Sequence, residues 1–161
     1  MTREEFIGLV REEQVSLRRF LLALCGGDSD MADDLAQEAL IRAYVASDSF
    51  RGLSKFSTWL YRIAYNCFID KCRRKAPEKV NLDAPAVGNI PSSASSDASF
   101  RYQQLYMALE KLPEKERACI ALFYFEDLPV KEITRILHMA SGTVRYTLTM
   151  ARRHLKDYIT L

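Results

Sequence analysis

The chain has 161 residues, enough for one domain or two small ones, and 48% are hydrophobic, so it can bury a core. Net charge is only +2, but it is segregated. Residues 1–41 hold nine acids against four bases (−5), residues 42–75 eight bases against two acids (+6), and residues 129–161 six bases against two acids (+4). Two basic regions suggest two contacts with a polyanion, and the acidic one suggests a protein partner. Cys25, Cys67, Cys72 and Cys119 form no CxxC pair, and neither His138 nor His154 neighbours a cysteine in sequence. That pattern argues against a metal site and for a reduced, cytoplasmic chain. There is no signal-peptide pattern and no apolar run long enough to span a bilayer. No carboxylate pair, nucleophile constellation or phosphate loop marks an enzyme, so no cofactor or small-molecule substrate is expected.

In chain order, residues 2–25 read as an amphipathic helix with Phe6, Leu9, Val10, Leu17, Phe20, Leu21 and Leu24 on its apolar face. Gly26 and Gly27 end it. Ser29 or Asp30 is the expected cap of a second helix over about 30–46, with a core stripe of Ala32, Ala36, Ala39, Leu40 and Ala43. On its other side Asp34, Gln37 and Glu38 surround Ile41 and Val45. That is either a face covered by a neighbouring helix or an apolar docking centre with a charged rim. Residues 47–57 read as a loop in which Phe50 and Phe56 alternate with Arg51 and Lys55. Aromatics among cations suit unstacked bases; two phenylalanines anchored in the core are the alternative. A third helix is expected over 58–75. Leu60, Ile63, Ala64 and Cys67 point to a core, and Trp59, Arg62, Asn66 and Arg73 point outward. The cations at its end suit either the helix dipole or nucleic acid.

Residues 77–98, with three prolines and four serines, read as a flexible linker between domains 1–76 and 99–161. Such a linker spans roughly 25 Å relaxed and about 75 Å stretched. Helices over 99–112 and 114–125 follow. Then Val130, Ile133, Ile136 and Leu137, a turn at 138–140, and Val144, Leu148, Ala151 and Leu155 give two amphipathic helices across a tight turn. This is the helix-turn-helix pattern. Arg145, Thr149, Arg152 and Lys156 share the opposite face of the last helix, flanked by Tyr146 and Arg153, and suit a major groove. The fold expected is all-α: two small helical domains joined by a flexible linker, the second ending in a helix-turn-helix.

Together these features resemble the extracytoplasmic-function (ECF) sigma factors of bacterial RNA polymerase, across nearly the whole chain. The resemblance rests on Asp33-Asp-Leu-Ala-Gln-Glu-Ala-Leu-Ile-Arg-Ala-Tyr44, on Asp48-Ser-Phe-Arg-Gly with Phe56-Ser-Thr-Trp-Leu-Tyr-Arg-Ile-Ala-Tyr-Asn-Cys-Phe-Ile-Asp70, and on Leu112-Pro-Glu-Lys-Glu-Arg117 with the helix-turn-helix. It implies Asp34, Leu35, Gln37, Glu38 and Ile41 as contacts to core polymerase. It implies Phe50, Arg51, Lys55, Phe56, Trp59, Arg62, Asn66 and Arg73 as readers of the minus-ten promoter element. Ser141, Thr143, Arg145, Tyr146, Thr149, Arg152 and Arg153 would read the minus-thirty-five element. An anti-sigma protein, often membrane-anchored, would be a further partner. The chain departs from the family at Pro129, which cannot cap with a side chain, at His138 in the turn, and at Thr147 and Met150 where arginines are usual. Promoter elements some twenty base pairs apart lie roughly 70 Å from each other, so the free protein is expected to be compact and to open on the polymerase. A regulator that binds duplex DNA unaided is the competing expectation. It would need neither the aromatic loop nor the acidic helix.

Overall fold

The computed structural model describes residues 1–75 and 97–159, which form seven helices and no strand among the described residues. Residues 76–96, nearly all of the expected linker, lie outside the described residues. Helix α1 is Arg3–Leu24. Thr2 starts it with a capping box: its Oγ1 accepts from the Glu5 amide at 3.1 Å, and the Glu5 carboxylate accepts from the Thr2 amide at 3.4 Å. Phe6, Val10, Leu17, Phe20, Leu21 and Leu24 are buried as their spacing predicts, and Leu9 is half-buried. Gly26 and Gly27 follow at φ 62° and 91°. A Cβ on Gly26 would stand 2.9 Å from the Glu110 Cβ, and one on Gly27 3.0 Å from the Tyr106 Cβ. Both conformation and clearance therefore require glycine here.

Helix α2 is Ser29–Val45, and Asp28 rather than Ser29 or Asp30 caps it, accepting from the Met31 amide at 3.1 Å. Ala32, Leu35, Ala39 and Ala43 form its buried stripe, and the three alanines let α2 lie close to its neighbours. A short 3-10 turn at Ser47–Ser49 leads to α3, Phe56–Lys75, which begins two residues earlier than expected. Helices α1, α2 and α3 pack on one another.

In the second half, α4 is Asp97–Lys111, α5 is Glu114–Ile120, α6 is Val130–Leu137 and α7 is Ser141–Tyr158. The expected helix 114–125 is not α-helical throughout. It widens into a π-helical turn at Ala121–Phe125, closed by the Glu126 amide on the Ala121 carbonyl at 3.1 Å. Pro113 and Pro129 stand at the starts of α5 and α6 and cap neither with a side chain. His138 ends α6 in the left-handed conformation, φ 56°, which a histidine adopts less readily than the glycine usual in this turn of the family. Ile133, Ile136, Leu137, Val144, Leu148 and Ala151 close the helix-turn-helix core.

The two halves share one hydrophobic core. Helix α6 packs on α3, and α1 packs on α4, α5 and the π-helical turn. As a result α3 is buried on more than the side expected. Besides Leu60, Ala64 and Cys67, its Thr58, Tyr61, Tyr65 and Phe68 are buried, while Ile63 is only half-buried. Among the described residues no helix is long and apolar enough to cross a membrane.

Candidate polymerase and nucleic-acid interfaces

On α2, Ile41 is 65% exposed and Val45 78%, with Tyr44 beside them at 50%. Among the described residues no helix covers them, which favours the docking-centre reading over the covered-face one. Asp34 and Gln37 are exposed and Glu38 half-buried on the same side. Glu38 is tied to Arg42 at 2.5 Å, and Arg42 reaches Asp70 of α3 at 3.0 Å. That hydrogen bond raises the Arg42 pKa and fixes the α2–α3 junction. Leu35 does not belong to this surface. It is 1% exposed, because it falls on the Ala32–Ala39–Ala43 stripe that faces the core.

The 50–59 segment is an aromatic cluster. Phe50, Phe56 and Trp59 lie 5.2–5.7 Å apart, and Phe56 also meets Phe6 edge-on at 6.0 Å. Phe56 is buried, so it anchors the loop to α1 and offers no face to a base; the core alternative holds for it. Phe50 and Trp59 are half-buried and keep an open side. Arg51, Lys55, Arg62, Asn66 and Arg73 are exposed. Arg73 and Arg74 line a shallow cleft with Arg42 and Asp70. The loop and α3 thus offer a cationic surface with two partly accessible rings at one end.

On α7, Ser141, Thr143, Arg145, Tyr146, Thr149 and Arg153 are exposed, Tyr146 at 66%. Thr149 Oγ1 donates to the Arg145 carbonyl at 3.0 Å. Thr147 and Met150 are half-buried on the flank. Arg152 is placed differently from its neighbours. Its Nε donates to the Tyr124 hydroxyl at 2.5 Å, and its guanidinium lies 5.7 and 5.6 Å from the Phe123 and Tyr124 ring centres. It is exposed, but its guanidinium is engaged with the π-helical turn, as that of Arg145 is not. His154 Nδ1 and Glu116 Oε1, 2.7 Å apart, tie α7 to α5.

Sequence reasoning missed a set of polar residues between the halves. Arg19 of α1 donates from two nitrogens to the Glu126 carboxylate, each at 2.8 Å, and the Tyr61 hydroxyl donates to the same group at 3.2 Å. The hydrogen bond to Glu126 raises the Arg19 pKa, and desolvation by burial raises that of Tyr61. Thr58 Oγ1 donates to Glu132 Oε1 at 2.7 Å in a buried contact. Arg117 donates to the carbonyls of Leu24, Leu109, Glu110 and Leu112 at 2.6–3.1 Å. Thr58, Tyr61, Arg117 and Glu132 lie in stretches the resemblance singles out, but no local periodicity marks Arg19 or Glu126. Among the described residues, no group of His, Cys, Asp and Glu side chains could hold a metal.

Three helices with an acid-rimmed apolar patch, joined to a helix-turn-helix with an outward basic face, define a two-part transcription factor. The Sigma-70 region 2 family matches residues 9–78, and the Sigma-70 region 4 family matches residues 102–155. The chain belongs to the ECF sigma factors, the non-enzymatic initiation factors of bacterial RNA polymerase. It is 40% identical over 149 residues to the ECF RNA polymerase sigma factor SigW of Bacillus subtilis, covering 83% of this chain and 78% of that one. It is 34% identical over 140 residues to the ECF RNA polymerase sigma-E factor of Escherichia coli, covering 78% and 72%. Among solved structures it is similar to the sigma factor RpoE of Bartonella quintana in complex with the anti-sigma factor NepR. The TM-score is 0.80 at 25% identity, with 97% of each chain covered. The match to region 2 over residues 9–78 supports this reading over a stand-alone helix-turn-helix regulator.

Proposed function

We propose that this protein docks on core RNA polymerase through the outer face of α2 and directs it to promoters with two separated elements. The observation that carries the reading is the apolar patch at Ile41 and Val45. Asp34, Gln37 and Glu38 rim it, next to the outward cations of α3. An apolar centre with a polar rim is the anatomy of a protein interface. Arg62, Asn66 and Arg73 would hold the non-template strand at the minus-ten element, with Arg51 and Lys55 on its phosphates and Phe50 and Trp59 against unstacked bases. Arg145, Tyr146 and Thr149 would enter the major groove at the minus-thirty-five element, with Ser141, Thr143 and Arg153 on the backbone. Residues 1–76 would act as the first unit and 99–161 as the second, the stretch between them spanning the promoter spacing. The protein performs no catalysis of its own and works in the cytoplasm. The solved RpoE is held by an anti-sigma factor, which supports an inhibitory protein partner of that class here.

The test is run-off transcription by core polymerase on a pool of genomic fragments, with and without the protein. Protein-dependent transcripts that share an upstream motif are expected. A folded protein that neither binds core nor yields transcripts refutes the reading.

A further inference from the structure

Val144, Leu148 and Ala151 turn one side of α7 to the core. On the other side Thr149 and Met150 follow Tyr146 by three and four residues, a spacing that makes both its neighbours on the helix surface. Tyr146 is 66% exposed, Thr149 is exposed and Met150 is half-buried. Thr149 Oγ1 already donates to the Arg145 carbonyl at 3.0 Å. Its proton is spent on the helix, and the side chain keeps only a methyl group and an acceptor oxygen for an outside partner. Between Ser141 and Ala151, Arg145 is the one charged side chain, so this half of α7 carries no row of cations for phosphates. A Cβ built on Gly142, one turn before Tyr146, would meet nothing within 4 Å. The face is bare there, and a base edge can approach the backbone closely.

An apolar spot on a helix lying in the major groove has one complement among the base edges. Guanine, cytosine and adenine present donors and acceptors there, and thymine alone adds a methyl group at C5. Resting on the proposed function for the placement of α7 in the groove, we infer that Tyr146, Thr149 and Met150 form a reader of the thymine 5-methyl group in the upstream promoter element. Arg145 supplies the polar contact of the same face. The contact with the methyl group belongs to the Tyr146 ring and not to its hydroxyl. That separates it from a tyrosine whose hydroxyl holds a phosphate, which positions a protein without reading sequence. It also separates it from an apolar spot offered to a protein partner, which would not tell thymine from uracil.

The test uses the complete chain bound to core polymerase and a promoter duplex recovered by run-off transcription. Each thymine of the upstream element is replaced in turn by deoxyuridine, which lacks only the 5-methyl group. Binding of each duplex is titrated at one fixed salt concentration. Taking one methyl group out of an apolar contact costs about a fourfold loss of affinity, and at least one exchange should weaken binding by that factor. Tyr146→Ala should weaken binding of the thymine duplex and hold thymine and uracil duplexes alike. Tyr146→Phe, which keeps the ring, should recover the discrimination. Thr149→Ser, which keeps the hydroxyl and drops the methyl group, should lower it. Because Tyr146 and Thr149 are exposed, helical circular dichroism should stay unchanged in all three variants. An upstream element without an A·T pair, or equal binding of every uracil duplex by the wild type, would overturn the methyl reader. So would full discrimination in Tyr146→Ala or none in Tyr146→Phe. In each of those cases the proposed function stands, since the complex still finds its promoter. If the wild-type complex recognises no promoter at all, the proposed function falls, and the methyl reader with it.

Discussion

Arg117 is the residue whose removal the structure lets one weigh most directly. It leaves α5 and gives its guanidinium to four backbone carbonyls: Leu24 at the end of α1, and Leu109, Glu110 and Leu112 at the end of α4. It also stands 6.0 Å from the Phe68 ring of α3. One planar fork thus satisfies the carbonyls left over at two helix ends. Arg117→Ala removes all four bonds. Hydrogen bonds to a charged group are worth about 1.5–3 kcal/mol each. Two terms offset part of that sum. Water reaches the Glu110 carbonyl at the exposed edge, and the guanidinium no longer bears the desolvation that lowers its pKa. A net loss of about 3–4 kcal/mol remains, which for a chain of this length lowers Tm by about 6–16 °C. Arg117→Lys keeps the charge but presents it as a point, so it should recover less than half of the loss. Urea and thermal unfolding followed by circular dichroism measure both. A loss below about 1 kcal/mol for alanine, or full recovery by lysine, would refute the argument that the fork is what matters.

Five further outcomes follow from named residues. Ile41→Glu with Val45→Glu should abolish binding to core polymerase in a pull-down while leaving Tm within a degree or two, because both side chains are exposed. Leu35→Ala should instead cost about 2–5 kcal/mol of stability in the same unfolding assay, since it opens a cavity at a side chain 1% exposed. Arg145→Ala should weaken upstream-element binding by the polymerase complex and lower its salt slope by about one unit. Arg152→Ala should leave that slope nearly unchanged, because its guanidinium is held by Tyr124. Burial pushes the thiols of Cys25 and Cys119 up to about 12 and that of Cys67 to about 11. Raised acids bind their protons more tightly folded than unfolded, so the stability they contribute is complete below about pH 9 and drains away above it. Tm should therefore fall steadily from pH 9 to 11, and Cys25, Cys67 and Cys119 should resist alkylation at pH 8 until the chain unfolds.

The sequence by itself determined the helices, their order and most of the outward chemistry. Apolar residues at helical spacing, glycines at 26–27 and the turn at 138–140 are local signals, and α1 to α4 appear within a residue or two of their expected limits. The exposed patch at Ile41 and the outward face of Arg145 and Tyr146 were legible for the same reason: a helix's period tells which residues share a side. The cap at Asp28 and the π-helical turn at Ala121–Phe125 were less legible, because neighbouring residues could serve equally by type. What only the tertiary structure decided is which sides meet. Leu35 left the docking surface and Phe56 left the base-reading set because each falls where a second helix arrives. Arg152 met Tyr124, Arg19 and Tyr61 met Glu126, and Thr58 met Glu132 across the chain. Periodicity fixes a residue's angle about its own helix. It carries no information on which other helix, 65, 74 or 107 residues away, supplies the partner.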